Sequence, residues 1–233
     1  MIRMLLNDLL SLFYPRLCLI CRQSLIDFEQ HVCLHCLCNN LPYARYHKRP
    51  DNPALKLYAG IPQIREVAAF LIYEKDSYVQ KLVHDFKYRD NSSLAEYMGQ
   101  LAAYRMKADG LFRDVDFLTP VPLHPKKERQ RGYNQSLRIA RGMASGYGIP
   151  ICDKVLYRKI YTTSQTRKSV YERHLNIENV FDTKNGHLFA GKHVLLVDDV
   201  ITTGATSIAC IEALTAAIPD IRISVFSLAM VTR

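Results

Sequence analysis

The sequence has no apolar run that approaches the roughly 20 residues needed to span a membrane as a helix. It also has no internal repeat and no low-complexity tract, which argues against solenoid and compositionally disordered architectures. The apolar start, residues 1–13, is interrupted by Asn7 and Asp8 and lacks a small-residue cleavage site. This segment is therefore a poor candidate for a signal peptide, and we expect a cytoplasmic protein.

Acidic residues are scarce in one stretch of the chain. The 233 residues carry a net charge of +9, and residues 124–173 contain twelve Lys or Arg against three acids, Glu128, Asp153 and Glu172. Outside this block the two signs balance. Such a block attracts a polyanion, whether a pyrophosphorylated sugar or a nucleic-acid backbone. A solvated cationic face is the alternative, because basic clusters are common.

Residues 194–206 combine an apolar strand, two carboxylates and a hydroxyl-rich turn. A strand predicted over 193–197 would bring Asp198 and Asp199 to its carboxyl end, where ligands of parallel α/β sheets bind. The turn would then present N–H groups and hydroxyls at the start of a helix over 206–217, which favours an anion. The turn residues are Thr202, Thr203, Gly204, Ala205 and Thr206. We predict a phosphate in the turn and sugar hydroxyls at the carboxylates; a buried strand ending in a polar turn is the alternative.

Four of the seven cysteines form two Cys-x-x-Cys pairs separated by eleven residues. The pairs are Cys18 with Cys21 and Cys33 with Cys36. Each pair places two thiolates on one side of a metal, and two pairs complete a tetrahedral zinc site with Zn–S distances of about 2.3 Å. Disulfides are the less favoured interpretation in a cytosolic chain. His31, His35 and Cys38 are close enough in sequence to replace one of the four ligands.

Strand and helix patterns alternate along the rest of the chain. Apolar spacing predicts a short helix that ends at Pro15, and four prolines over residues 41–64 indicate a linker. The predicted strands are 67–73, 115–121, 155–157, 193–197 and 221–228, and the predicted helices are 78–87, 93–106, 134–145 and 206–217. This alternation predicts a parallel sheet with helices on both faces. We assign residues 1–45 to an N-terminal helix and zinc-binding module, 46–65 to a linker and 66–233 to the sheet domain.

Two further stretches carry candidate ligands for a pyrophosphate. The strand that ends near Val121 runs into a basic loop, in which Arg129 and Arg131 offer forked donors for phosphate oxygens. Residues 158–181 form a long polar segment, and such a segment beside a phosphate site is often a lid. Its candidate ligands are Arg158, Gln165 and Arg173. The alternatives are a charged turn and an exposed surface loop.

Together these segments resemble one family. The 194–206 pattern is similar to the phosphoribosyl-pyrophosphate (PRPP) motif of type I phosphoribosyltransferases. With the paired cysteines and the segments 121–135 and 158–181, the chain resembles the ComF family, in which a phosphoribosyltransferase-like domain follows a small zinc finger. The segment from Arg158 is also similar to the corresponding region of glutamine PRPP amidotransferases.

The resemblance implies an α/β fold: a type I phosphoribosyltransferase-like parallel sheet flanked by helices, with a small N-terminal zinc-ribbon module. It implies that Asp198 and Asp199 are catalytic and hold the ribose hydroxyls of PRPP directly or through Mg²⁺. It also implies that the turn Thr202–Thr206 binds the 5′-phosphate. Zn²⁺ would be structural, and Mg²⁺ would accompany PRPP. The resulting expectation is an enzyme that transfers phosphoribose to an acceptor with release of pyrophosphate, although no residue identifies the acceptor.

The family is also linked to natural DNA uptake and transformation, and this link implies a second class of function. The chain would then be a DNA-binding or partner-binding component that keeps a non-catalytic sugar-phosphate pocket. Its partners would be single-stranded DNA or competence proteins. The basic block and the zinc module fit either function, and the sequence implies no particular oligomeric state.

Overall fold

The computed structural model describes residues 14–160 and 180–231, and its centre is a four-stranded parallel sheet. The strands of the chain are β1 (Ile64–Tyr73), β2 (Phe117–Pro120), β3 (Leu156–Arg158), β4 (Phe181–Thr183), β5 (His193–Ile201) and β6 (Arg222–Val231). The sheet has the order β1-β6-β5-β2, with all three neighbouring pairs parallel. Strands β3 and β4 form a separate antiparallel pair. The predicted parallel sheet is confirmed.

Helices cover both faces of this sheet. The helices of the described residues are α1 (Leu34–Asn39), α2 (Pro53–Lys56), α3 (Tyr78–Tyr88), α4 (Ser92–Ala108), α5 (Pro125–Arg131), α6 (Gln135–Tyr147) and α7 (Ala205–Ala217), with 3-10 turns at Tyr46–Lys48 and Gly186–Phe189. Successive side chains of a strand point to opposite faces. Leu195 and Val197 of β5 therefore join the core beneath α3, α4 and α6, whereas Val194 and Leu196 join the core beneath α7.

Two glycines allow α4 and α6 to cross at close range. A Cβ atom on Gly142 would lie 1.9 Å from the carbonyl oxygen of Glu96, and one on Gly99 would lie 2.2 Å from that of Ile139. Only glycine fits such an approach, because a side chain would have to occupy the space of the facing backbone. The crossing fixes the N-terminus of α6, which lies next to the acidic pair of β5.

The structure differs from the sequence prediction in two elements. The basic stretch after Val121, predicted as a loop, contains helix α5. His124 caps this helix by accepting a hydrogen bond from Lys126 N (3.2 Å), and Gly132 ends it with φ +80°. Helix α5 has no buried residue, so it offers no apolar periodicity to detect. The strand predicted at 155–157 exists as β3, but it pairs with β4 outside the main sheet.

The cysteine-containing segment packs against the edge strand β1. Ile72 N donates to Pro42 O (2.8 Å), Ala44 N donates to Phe70 O (2.9 Å), and the rings of Tyr43 and Phe70 lie 5.2 Å apart. Three of the four paired cysteines are buried in the same core as Phe70. The segment and the sheet therefore share one hydrophobic core.

The residues assigned to a linker, 46–65, contain the first 3-10 turn, α2 and the start of β1. Asn52 Nδ2 donates to Val67 O (3.0 Å), so this stretch also packs on β1. The N-terminal helix predicted before Pro15 lies outside the described residues. Within the described ranges, no helix has both the length and the apolar character needed to cross a membrane.

Candidate functional site

The two acids of the sequence motif lie near the carboxyl end of the central strand β5. Asp198 is buried, with 7% of its surface exposed, and Asp199 is half-buried. Asp198 Oδ1 accepts hydrogen bonds from Asp199 N (2.8 Å) and from Ser136 Oγ at the start of α6 (3.4 Å). The tight α4–α6 crossing thus helps to orient the first acid. The strand continues through both acids to Ile201, four residues beyond its predicted end.

The environment of Asp198 favours its protonated form. Burial is the main cause that raises its pKa to about 7, and the negative charge of Asp199 adds to this effect. The hydrogen bond from Asp199 N, the Lys87 charge and the hydroxyl of Ser136 act in the opposite direction. A cation that bound in place of the proton would stabilise the ionised form of this carboxyl group.

The turn Thr202–Thr206 connects β5 to the N-terminus of α7. Gly204 occupies the N-cap position with φ +77°, a conformation that favours glycine. Ser207 Oγ donates to Gly204 O (2.9 Å) and is itself 2.7 Å from the buried hydroxyl of Tyr58. Ala205 N donates to Thr203 Oγ1 (3.4 Å). These contacts hold the turn in place at a helix N-terminus, where N–H groups and the helix dipole favour an anion.

Basic side chains from three elements lie near the acidic pair, and Arg131 lies near one of them. Lys87 Nζ at the end of α3 is 2.9 Å from Asp199 Oδ2. Burial lowers the pKa of Lys127 on α5, and the positive charges of Arg131, Arg158 and Lys87 lower it further, while Asp199 raises it. Burial also lowers the pKa of Arg158 in β3, whereas the charge of Asp198 raises it. Positive charge is therefore concentrated near the two acids.

Sequence reasoning found only part of this basic cluster. It selected Arg131 and Arg158 but not Lys87 or Lys127, and it selected Arg129, which the structure leaves exposed on α5. Lys127 and Arg131 are four residues apart and share one face of a helix. A loop prediction could not distinguish that face from the exposed one. No sequence pattern indicated Lys87 as a site residue, because it lies at the end of an amphipathic helix that is far from every motif in the sequence. Gln165 and Arg173 lie outside the described residues.

The four paired cysteines form a compact cluster at the start of the described chain. The sulfur atoms of Cys18, Cys21, Cys33 and Cys36 all lie within 4.8 Å of one another. The sulfur atoms of Cys21 and Cys33 are 3.7 Å apart, close to the edge of about 3.8 Å in a tetrahedron with 2.3 Å metal–sulfur bonds. Of the substitutes considered, Cys38 and His35 are exposed, and the His31 ring packs against Tyr97 at 5.6 Å.

The surroundings of Cys18 and Cys36 shift the pKa values of their thiols in opposite directions. Burial alone would raise the pKa of Cys18, but backbone hydrogen bonds from Cys33, Cys21 and Ile20 outweigh it and lower this pKa to about 7. Burial raises the pKa of Cys36 to about 12. Four clustered sulfurs of this kind suit a structural metal ion, because a bound cation stabilises thiolates that burial otherwise disfavours.

Comparison with known proteins agrees with this geometry. The phosphoribosyl transferase domain model matches residues 134–230, which include β5, the acidic pair and α7. Competence protein ComFC of Bacillus subtilis is 26% identical over 200 residues, covering 82% of this chain and 74% of that protein. These similarities support a ComF-family phosphoribosyltransferase-like protein.

Two further similarities concern a second relative and a solved structure. DNA utilization protein YhgH of Salmonella typhimurium is 26% identical to this chain over 205 residues, covering 82% of this chain and 87% of that protein. Glutamine PRPP amidotransferase of B. subtilis aligns with 63% of this chain at 18% identity and a TM-score of 0.41. The alignment spans only 30% of the amidotransferase chain.

Proposed function

We propose that this chain binds PRPP together with Mg²⁺ and transfers its phosphoribosyl group to an acceptor with release of pyrophosphate. The observation that supports this function best is the arrangement at the end of β5. A carboxyl pair, an anion-favouring turn and a concentration of basic side chains meet there. PRPP offers the matching groups: two ribose hydroxyls, a 5′-phosphate and a pyrophosphate.

Different residues would bind different groups of PRPP. Asp198 and Asp199 would accept hydrogen bonds from the ribose hydroxyls, and the turn Thr202–Thr206 would bind the 5′-phosphate through its N–H groups and hydroxyls. Lys127 and Arg131 would contact the pyrophosphate. The carboxylate oxygens suit Mg²⁺, which when bound would neutralise charge on the departing pyrophosphate. The charge of Asp198 acts on the guanidinium of Arg158 in β3, which would add to that positive field.

The two positive side chains on opposite sides of α5 provide a matched test. Lys127→Gln is expected to weaken PRPP binding at least about tenfold, because a partly buried charge–phosphate contact contributes on the order of 1.5–3 kcal/mol. Arg129→Gln removes the same charge from the exposed side of the helix and is expected to change affinity less than about twofold. Calorimetric titration with PRPP in the presence of Mg²⁺ measures both variants. Equal losses would contradict the assignment of the pyrophosphate to the Lys127 side, and a wild-type protein that binds no PRPP would contradict the proposed function.

Binding of single-stranded DNA is the second candidate function, and an exposed aromatic side chain beside the basic cluster favours it. Tyr88 is 63% exposed, the Arg131 guanidinium carbon lies 5.4 Å from its ring centroid, and the His84 ring lies 4.8 Å away. Bases stack on exposed aromatic rings next to positive charge. The names of the relatives, competence protein ComFC and DNA utilization protein YhgH, point in the same direction.

An exposed tyrosine elsewhere supplies the control for this candidate. Tyr88→Ala is expected to weaken single-stranded DNA binding about 5- to 150-fold, because one base stack contributes about 1–3 kcal/mol. Tyr104→Ala on α4 removes a ring that is 59% exposed and should leave the affinity unchanged. Fluorescence anisotropy at several salt concentrations measures the affinities. The salt slope should be the same in both variants, since neither removes a charge. Equal affinities for the two variants would exclude Tyr88 as a stacking surface.

For the cysteine cluster we propose Zn²⁺ as the bound metal. A set of four thiolates selects zinc among abundant divalent ions, whereas Mg²⁺ prefers oxygen. The ion would have a structural function, because four sulfur ligands complete a tetrahedron and leave no open position for a substrate.

A further inference from the structure

The ammonium group of Lys87 forms an ion pair with the second acid of the motif. Its Nζ atom is 2.9 Å from Asp199 Oδ2, and the two side chains are only 19% and 15% exposed. An ion pair this far from water is screened less than a surface pair, so it affects what else can approach Asp199. The PRPP motif gives no reason for a lysine at this position.

The position of Lys87 is fixed by its helix. Helix α3 begins at the Ser77 cap, whose side chain accepts from Gln80 N, and its last turn is held by Phe86. Phe86 is fully buried, and its carbonyl oxygen accepts a hydrogen bond from the Tyr133 hydroxyl just before α6. The backbone of Lys87 therefore has little freedom. Its four-carbon side chain can still swing, because lysine carries a point charge on a flexible stem.

A divalent ion and an ammonium group that both contact Asp199 repel each other, so each weakens the binding of the other. We propose that Lys87 is an exchangeable counter-ion: it neutralises Asp199 in the absence of ligand and moves to the pyrophosphate of the donor when Asp199 accepts the divalent ion. This inference rests on the proposed function, and it assigns Lys87 as a residue that competes with the metal for Asp199 and contacts the bound donor.

The surrounding charges determine where Lys87 can move. Lys127 lies in the same electrostatic field as Lys87: burial is the main cause that lowers the pKa of Lys127, and the charges of Arg131, Arg158 and Lys87 lower it further. A displaced ammonium would meet this positive field unless an anion were present. Metal binding without donor is therefore opposed, and metal binding with PRPP is favoured, because the pyrophosphate neutralises all four cations. Lys87 thereby couples the two ligands, and such coupling is reciprocal.

The test compares two ligands and three variants. Lys87→Met removes the charge but keeps an unbranched chain, Lys87→Arg keeps the charge, and Lys81→Met removes an exposed charge from the same helix. Mn²⁺ replaces Mg²⁺ so that the free ion can be counted by electron paramagnetic resonance. Calorimetry measures PRPP affinity at saturating Mg²⁺, and circular dichroism confirms that each variant is folded.

Lys87→Met is expected to bind Mn²⁺ alone about tenfold more tightly than the wild type and PRPP about tenfold more weakly, in line with loss of one partly buried charge contact. Lys87→Arg should restore PRPP affinity to within about threefold, and Lys81→Met should match the wild type in both measurements. Opposite effects on the two ligands would not arise from a merely structural ion pair.

Unchanged Mn²⁺ affinity in Lys87→Met would overturn the counter-ion function, and unchanged PRPP affinity would overturn the transfer of Lys87 to the donor. Failure of the proposed function gives a different result, in which the wild type itself binds no PRPP. The Mn²⁺ measurement does not require PRPP, so it would still decide whether Lys87 competes for Asp199.

Discussion

Replacing Asp198 by Asn is expected to weaken PRPP binding by roughly 30-fold or more and, in the same variant, to raise the free energy of unfolding at pH 8. The binding loss follows from the proposed contacts of Asp198. An amide lacks the charge that Mg²⁺ and the ribose hydroxyls would require, and loss of a buried charge contact of 2–5 kcal/mol corresponds to roughly 30- to 5,000-fold in affinity.

The stability gain follows from the raised pKa of this carboxyl group. In the folded chain burial raises the pKa of Asp198 to about 7, whereas in the unfolded chain it titrates near pH 4. Between these two values the folded state holds the proton and the unfolded state has released it. The stability that protonated Asp198 contributes is therefore fully present below about pH 4 and is lost as the pH rises to about 7. The corresponding free energy is at most roughly 4 kcal/mol.

The amide side chain in Asp198→Asn would remain neutral at every pH, and its oxygen could still accept the hydrogen bonds from Asp199 N and Ser136 Oγ. Urea unfolding from pH 5 to pH 8 should therefore show a difference between variant and wild type that grows with pH. Asp220→Asn, at an exposed acid before β6, should change neither affinity nor this pH dependence. A variant that binds PRPP normally would remove Asp198 from the site, and a stability difference independent of pH would contradict its raised pKa.

The sequence predicted the parts of the fold and of the site that are continuous in the chain. Strand β5, the acids and the turn lie within one segment, whose strand-to-helix change is visible in the order of the residues. The alternation of strands and helices likewise predicted the parallel sheet, because each apolar stretch must be covered on both faces.

The contacts between distant segments could not be predicted in this way. Ser136 contacts Asp198 from α6, whose position depends on the close glycine crossing with α4. Lys87 contacts Asp199 from the end of α3, where the Tyr133 hydroxyl donates to the preceding carbonyl. Helix α5 illustrates a second cause. Its charged sequence hides the helical period, so the side chains that face the acids could not be separated from Arg129.

The cysteine cluster also packs into the core of the main sheet, which the spacing of the cysteines in the sequence does not indicate. Cys18, Cys33 and Cys36 belong to the same core as Phe70 and Leu71 of β1. Cys36 Sγ also accepts a hydrogen bond from Asn40 Nδ2 (3.2 Å), just before the segment that pairs with β1. The edge of the main sheet is therefore covered by a segment too short to form a core alone, and the proposed metal would supply stability that such a segment lacks.

Cys36→Ser is consequently expected to destabilise the whole sheet domain as well as its N-terminal segment. Loss of a metal ligand should lower the free energy of unfolding by more than about 4 kcal/mol, because zinc binding to four-thiolate sites contributes about 10 kcal/mol or more to folding. Thermal unfolding should show one transition at a lower temperature, and the purified variant should contain less zinc than the wild type. A chelator that prefers zinc to magnesium should have the same effect on the wild type. Cys38→Ser alters an exposed thiol two residues away and should leave both zinc content and stability unchanged. Two separate transitions, with the second at the wild-type temperature, would show that the cysteine segment folds independently and that the shared core does not couple it to the sheet.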